Sequence, residues 1–164
     1  MNPQIDSNPI VKNEPEFMVV GISMRTTNKQ AIEEGTIQQL WQQLLDQDIL
    51  FKIPNKVNNS VMALYYDYAS NKDGEYTLLI GAQVSSLDDV PEDLTTLHVP
   101  ATKRAVFISD LGALNCIVFN LWQKIWKQEE HNEIDRAYKI DYEIYDERSH
   151  NQAEALVEIH ISVK

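Results

Sequence analysis

The sequence predicts an α+β fold: a duplicated βαββ unit with pseudo-twofold symmetry, antiparallel sheets and a ligand cleft between the halves. Three observations predict it. Apolar runs alternate between strand-like and helix-like periods in the order βαββ, connector, βαββ. Short segments recur: VVGIS at Val19 echoes AVFIS at Ala105, LWQQLL at Leu40 echoes LWQKIW at Leu121, and YYDY at Tyr65 echoes IYDE at Ile144. Their offsets of 86, 81 and 79 residues keep one order along the chain, as an internal repeat does.

Pro3, Pro9 and Pro15 punctuate a polar opening, so residues 1–15 read as a flexible tail. One domain follows over 16–164, with halves at about 16–86 and 100–164 and a connector at 87–99. FMVVGIS from Phe17 is the first strand. A helix starts near Asn28, with Ile37, Leu40, Trp41, Leu44 and Leu45 on one 3.6-residue face. VMALYYDYA and EYTLLIGAQVS form a strand pair, with Asp73-Gly74 between them as a turn signal. The second half repeats the plan. KRAVFIS is a strand, and Leu114, Ile117, Val118, Leu121, Trp122 and Ile125 stripe a helix. KIDYEIYDE and ALVEIHISV close the chain.

The 164 residues are 43% hydrophobic and carry a formal net charge of −11. That charge argues against direct nucleic-acid binding, which wants a basic surface. No apolar run is long enough to span a membrane. The first residues lack a signal-peptide pattern, and the chain has a single cysteine, so the cytoplasm is the expected location. The four histidines show no ligand-like spacing with Cys116, and the five glycines form no phosphate loop, so neither a metal nor a cofactor is called for. Cys116, on or near the apolar stripe of its helix, reads as a buried inert thiol.

Alternation along YKIDYEIYDE places Asp141, Glu143, Tyr145 and Glu147 on one face. Tyr138, Ile140, Tyr142 and Ile144 take the other face, read as core beneath the helices. A carboxylate on a half-buried strand is costly unless a cation or hydrogen-bond donor meets it. Glu143 is therefore either a cleft acid, an acid on an exposed sheet face, or the partner of an internal Arg or Lys. The repeat matches Tyr66 to Tyr145 and Leu64 to Glu143, which gives a cleft with two tyrosines and one acid. Trp41 and Trp122 sit at equivalent helix positions, with core packing as their default and a place at the cleft edge as the alternative. Leu111, just after a strand, is a candidate apolar wall.

Three segments carry a family likeness: EYTLLIGAQVSSLDDVPEDL from Glu75, HVPATKRAVFISDLG from His98, and DYEIYDER from Asp141 followed by VEIHISVK. Over roughly residues 15 to 164 the chain resembles the GyrI-like family, which includes the effector-binding domains of AraC-type and MerR-type transcription regulators. The resemblance implies the duplicated βαββ fold. It implies a hydrophobic, cationic aromatic small molecule as ligand, neutralised by a buried glutamate in the strand position of Glu143. Where the family usually has tyrosine, this chain has Arg104, expected to point outward at a strand start. No segment resembles the helix-turn-helix of the regulators, so a stand-alone module is expected, with any transcriptional role carried through a separate regulator. Such modules also suit mobile gene cassettes. The resemblance leaves two other activities open. One is hydrolysis of strained electrophiles, with Glu143 steering water and Tyr145 or Tyr66 donating a proton. The other is protein binding that antagonises DNA gyrase.

Overall fold

The computed structural model describes residues 9–164. Eight strands form one antiparallel sheet: β1 Ile10–Glu14, β2 Phe17–Thr26, β3 Val61–Tyr66, β4 Tyr76–Val84, β5 Thr95–Val99, β6 Thr102–Ile108, β7 Asp141–Tyr145 and β8 Glu158–Ser162. The helices are α1 Asn28–Glu34, α2 Thr36–Asp46, α3 Ile49–Lys52 and α4 Leu114–Glu130. The strand order is β1-β6-β8-β7-β3-β4-β2-β5. It reads as a palindrome about the β7–β3 junction: β6, β8 and β7 mirror β2, β4 and β3. The duplication is thus built into one continuous sheet rather than two.

Both edges depart from the expected plan. The tail predicted over 1–15 contains β1, and the connector predicted over 87–99 contains β5; residues 1–8 lie outside the described residues. β1 pairs with β6 and β5 pairs with β2. Each half therefore hands its leading strand to the other half. These strands escape a hydrophobicity reading because a partner on one side only leaves most of their residues open to solvent. In β1, Ile10 is 69% exposed and Val11 54%.

The predicted first helix does begin at Asn28, but Gly35 divides it. Gly35 takes φ +68°, ending α1 and starting α2 at an angle that a side-chain-bearing residue adopts only with strain. Leu40 and Leu44 of α2 and Leu121 and Ile125 of α4 pack on one sheet face, against Val20, Leu78, Ile80, Ala105, Phe107 and Ile159. Val19, Met62, Leu64, Leu79, Val99 and Tyr142 form a separate cluster on the helix-free face.

That second face closes on itself. In a flat sheet, strands three places apart lie about 14 Å from one another. Yet Phe17 of β2 meets Tyr142 of β7 edge-on, with ring centroids 5.5 Å apart. The Tyr142 hydroxyl also reaches across to donate to Glu14 Oε1 of β1 at 2.7 Å. The sheet curls around this cluster.

Curling buries Arg104 as well, against the expectation that it points outward. Its side chain is wholly buried, donates to the Ile140 carbonyl, pairs with Glu14 at 3.4 Å, and lies over the Tyr142 ring at 5.1 Å. Among the described residues it makes no contact of this kind with Glu143.

Candidate functional site

The helices from the two halves straddle the sheet centre, and between them a cavity of about 1170 Å³ opens over β3 and β7. Its floor is the helix-facing side of those two strands. Val61 and Tyr65 come from β3, and Glu143 and Tyr145 from β7. The register pairs Val61 with Tyr145 and Ala63 with Glu143. Small Ala63, wholly buried, leaves room beside the carboxylate. Trp41 from α2 and Trp122 and Trp126 from α4 line the walls, so every tryptophan of the chain faces this space. Exposed Ile32, Leu45 and Phe119 stand among the lining residues, at 67%, 63% and 44% exposure.

Glu143 is 2% exposed. Three neutral donors hold it: Trp122 Nε1 to Oε2 at 2.6 Å, the Tyr65 hydroxyl to Oε2 at 2.9 Å, and the Tyr145 hydroxyl to Oε1 at 2.7 Å. No ion pair to Glu143 exists among the described residues. Burial pushes its pKa above the ordinary glutamate value, and the three hydrogen bonds work against that rise without cancelling it. The same burial, together with the nearby Glu143 charge, raises the Tyr65 and Tyr145 hydroxyls well above the usual phenol range. They are donors, not proton sources, near neutrality. The rings support one another: Trp41 meets Tyr145 edge-on at 4.9 Å, and Tyr65 meets Trp122 at 5.3 Å.

Two residues before Glu143, Asp141 is wholly buried and fully partnered. Ser162 donates to Oδ1 through its amide and its hydroxyl, while Tyr68 and Arg136 donate to Oδ2 at 2.6 and 2.8 Å.

Of the residues singled out from sequence, Glu143, Tyr145, Trp41 and Trp122 meet in this cavity. Tyr66 and Leu64 do not; they belong to the cluster on the opposite face. The offset of 79 that matched them is odd, and a one-residue slip turns every side chain of a strand to the other face. Tyr65 stands where Tyr66 was expected. The same alternation places Ile140, Tyr142 and Ile144 on the helix-free face rather than beneath the helices. Leu111 is 64% exposed and outside the lining. Cys116 is exposed, not buried, since it falls on the outer flank of α4. Tyr68, Tyr76, Trp126 and Arg136 line the cavity without having been singled out. For Tyr76 the signal was its place at the start of a strand of alternating parity. For Arg136, in a segment with no period, there was none.

A family model described as an integron-associated effector-binding protein, Cass2, matches residues 10–163. The chain belongs to this family. These integron-associated effector-binding proteins are GyrI-like in fold. The chain is also 32% identical, over 146 residues, to YobU of Bacillus subtilis strain 168, a protein named as a candidate transcriptional regulator. The match covers 88% of this chain and 90% of YobU. Among solved structures it is similar to an integron cassette protein from the mobile metagenome of Vibrio cholerae, at 24% identity and TM-score 0.74, covering 96% of each chain. It is similar too to SAV2435, solved bound to tetraphenylphosphonium, at 17% identity and TM-score 0.70, covering 95% of this chain and 93% of that one. These two likenesses concern the fold. No helix among the described residues of this family member is long and apolar enough to cross a membrane.

Proposed function

We propose that this effector-binding protein takes up a hydrophobic aromatic monocation in the cavity between α2 and α4, with Glu143 as its counter-ion. One observation carries the reading. A carboxylate is buried among aromatic rings and, among the described residues, is held by three neutral donors with no ion pair. Burying a charge is expensive unless an opposite charge meets it, so the site is completed by a guest that brings one. The apolar residues at its margin support entry of a greasy molecule. The reading is supported by a fold relative, SAV2435, solved bound to tetraphenylphosphonium, an aromatic monocation. Most of the affinity comes from apolar burial at about 25 cal/mol per Å². Each ring over the cation adds roughly 0.5–2 kcal/mol. Shape selectivity is then loose and charge selectivity strong. A regulatory role, in keeping with the name of YobU, passes through a partner that carries the DNA contacts, because the net charge of −11 opposes direct ones.

Tryptophan fluorescence tests this, since all three indoles line the cavity. Tetraphenylphosphonium is expected to change the emission saturably. Triphenylphosphine oxide, neutral and similarly aromatic, is expected to need at least about tenfold more ligand for the same change. Equal responses to the two would overturn the reading.

A further inference from the structure

The cavity wall already contains a cation in an aromatic box, and that cation belongs to the protein. Arg136 is 4% exposed. Its Cζ lies 4.2 Å from the Tyr138 ring centroid, 5.8 Å from Trp122 and 5.9 Å from Tyr68. Nη2 donates to Asp141 at 2.8 Å, and Nη1 stands 3.9 Å from Glu129. Nε and Nη1 are buried and make no hydrogen bond, so ring surface takes the place of acceptors around them. The backbone beneath is fixed: Arg136 bridges Val163, and the Ala137 amide donates to Ser162. Burial works against the guanidinium charge, but Asp141 together with Tyr68 and Tyr138 outweighs it and keeps the group protonated.

This arrangement has the same chemistry as the proposed guest site beside it: an acid, a box of rings and one positive charge. The two share Trp122, whose ring faces Arg136 while its Nε1 holds Glu143. Asp141 and Glu143 are two residues apart on β7, about 7 Å along the strand. Glu143 lines the cavity itself, whereas Asp141 reaches it only through the two side chains that hold its Oδ2, Tyr68 and Arg136, and its charge is met by the guanidinium.

Building on the proposed function, we infer that Arg136 is a specificity-determining residue. It occupies a second cation subsite at Asp141 and restricts the cavity to guests with a single positive charge. A second charge on the guest would meet the guanidinium instead of a free acid, inside a site where charges are poorly screened. Lys72, at the rim, already faces Asp73 and does not substitute for this control.

The test uses one skeleton with one or two charges: N-benzyl-4,4′-bipyridinium and N,N′-dibenzyl-4,4′-bipyridinium, whose ring nitrogens are set at roughly the Asp141–Glu143 spacing. Calorimetric titration is expected to show the wild-type protein binding the monocation at least about tenfold more tightly than the dication. In Arg136→Met that preference is expected to vanish or invert. Arg136→Lys is expected to restore it. In Arg136→Met/Asp141→Asn, which removes both charges together, the dication's gain is expected to be lost again. A preference unchanged in Arg136→Met overturns the inference and leaves the cavity reading standing. Should Arg136→Met not fold, the wild-type pair decides: equal binding of the two ions overturns the inference. A wild-type protein that binds neither of these ions nor tetraphenylphosphonium overturns both.

Discussion

Trp122 Nε1 donates to Glu143 Oε2 at 2.6 Å, linking the helix of the second half to the central strand of the same half across the cavity floor. The bond gives a buried charge a neutral anchor and turns the indole so that its ring walls the cavity. Tyr65 brings the first half to the same oxygen. One carboxylate therefore ties both halves of the duplication together.

The first prediction concerns pH. The Glu143 pKa is raised above 4.5 in the folded protein. Ionised Glu143 is the form that pairs with a cation, so affinity for tetraphenylphosphonium is expected to fall as pH drops through that raised value. It should do so at a pH above the ordinary carboxylate range. Triphenylphosphine oxide should show no such inflection. Tyr145→Phe removes a donor that lowers the pKa, so the inflection should move to higher pH. Titrations between pH 4.5 and 8 check both.

The sign for stability is the reverse. A carboxyl whose folded pKa exceeds its unfolded value favours folding when protonated and costs stability once ionised. Removing that charge with Glu143→Gln should therefore leave the melting temperature at pH 7 unchanged or higher. Thermal melts at pH 5 and 7 check this, with the variant's advantage larger at pH 7.

The opposite sheet face behaves differently in acid. Burial pushes Glu14 up, but contacts with His160, Tyr142 and Arg104 outweigh it and lower its pKa. Burial likewise raises Glu158, and Arg148 and His160 outweigh that. The Arg148 hydrogen bond holds Asp146 down. Groups with depressed folded pKa values contribute stability above their unfolded values and lose it as pH falls through the folded ones. Stability should therefore decline below about pH 4.5, the ordinary glutamate value. Glu14→Gln should flatten the decline. Its effect should centre on β1, which hydrogen exchange can resolve.

A fourth prediction addresses packing. Gly21 of β2 faces Gly81 of β4 in register. A Cβ on Gly81 would lie 1.9 Å from the Val20 carbonyl oxygen, and one on Gly21 would lie 2.1 Å from that of Ile80. Backbone cannot yield there as a side-chain tip can. Gly81→Ala should cost about 3 kcal/mol or more, read from urea unfolding. Trp41→Ala is a contrasting case. Trp41 is half-buried, so stability should change little. Loss of its wall and its contact with Tyr145 should weaken tetraphenylphosphonium binding about tenfold, while the preference for charged over neutral ligands survives.

Much of this architecture was legible because burial and period agree in the central elements. The apolar stripes of α2 and α4, the short apolar runs of β2, β3, β4 and β6, and the alternation of β7 carry the duplicated plan. Glu143 stood out because it broke an apolar pattern, and Tyr145 followed from parity. What failed did so for local reasons. Leu64 and Tyr66 were matched across the repeat with an odd offset, and in a strand the sign of a one-residue error is the wrong face. β1 and β5 were hidden because edge strands need little hydrophobicity. Arg104 looked like a surface residue because its burial depends on sheet curl, which joins Glu14 and Tyr142 from distant strands and leaves no periodic trace. Arg136 sits in an aperiodic segment whose position is set by the bridge to Val163.

The most direct test of the counter-ion is calorimetric titration of tetraphenylphosphonium and triphenylphosphine oxide into wild-type protein and Glu143→Gln. The substitution is expected to weaken the cation by at least about tenfold and to shift the neutral compound by less than about twofold. Unchanged affinity for the cation, or an equal loss for both compounds in a variant that still melts cooperatively, would contradict the account.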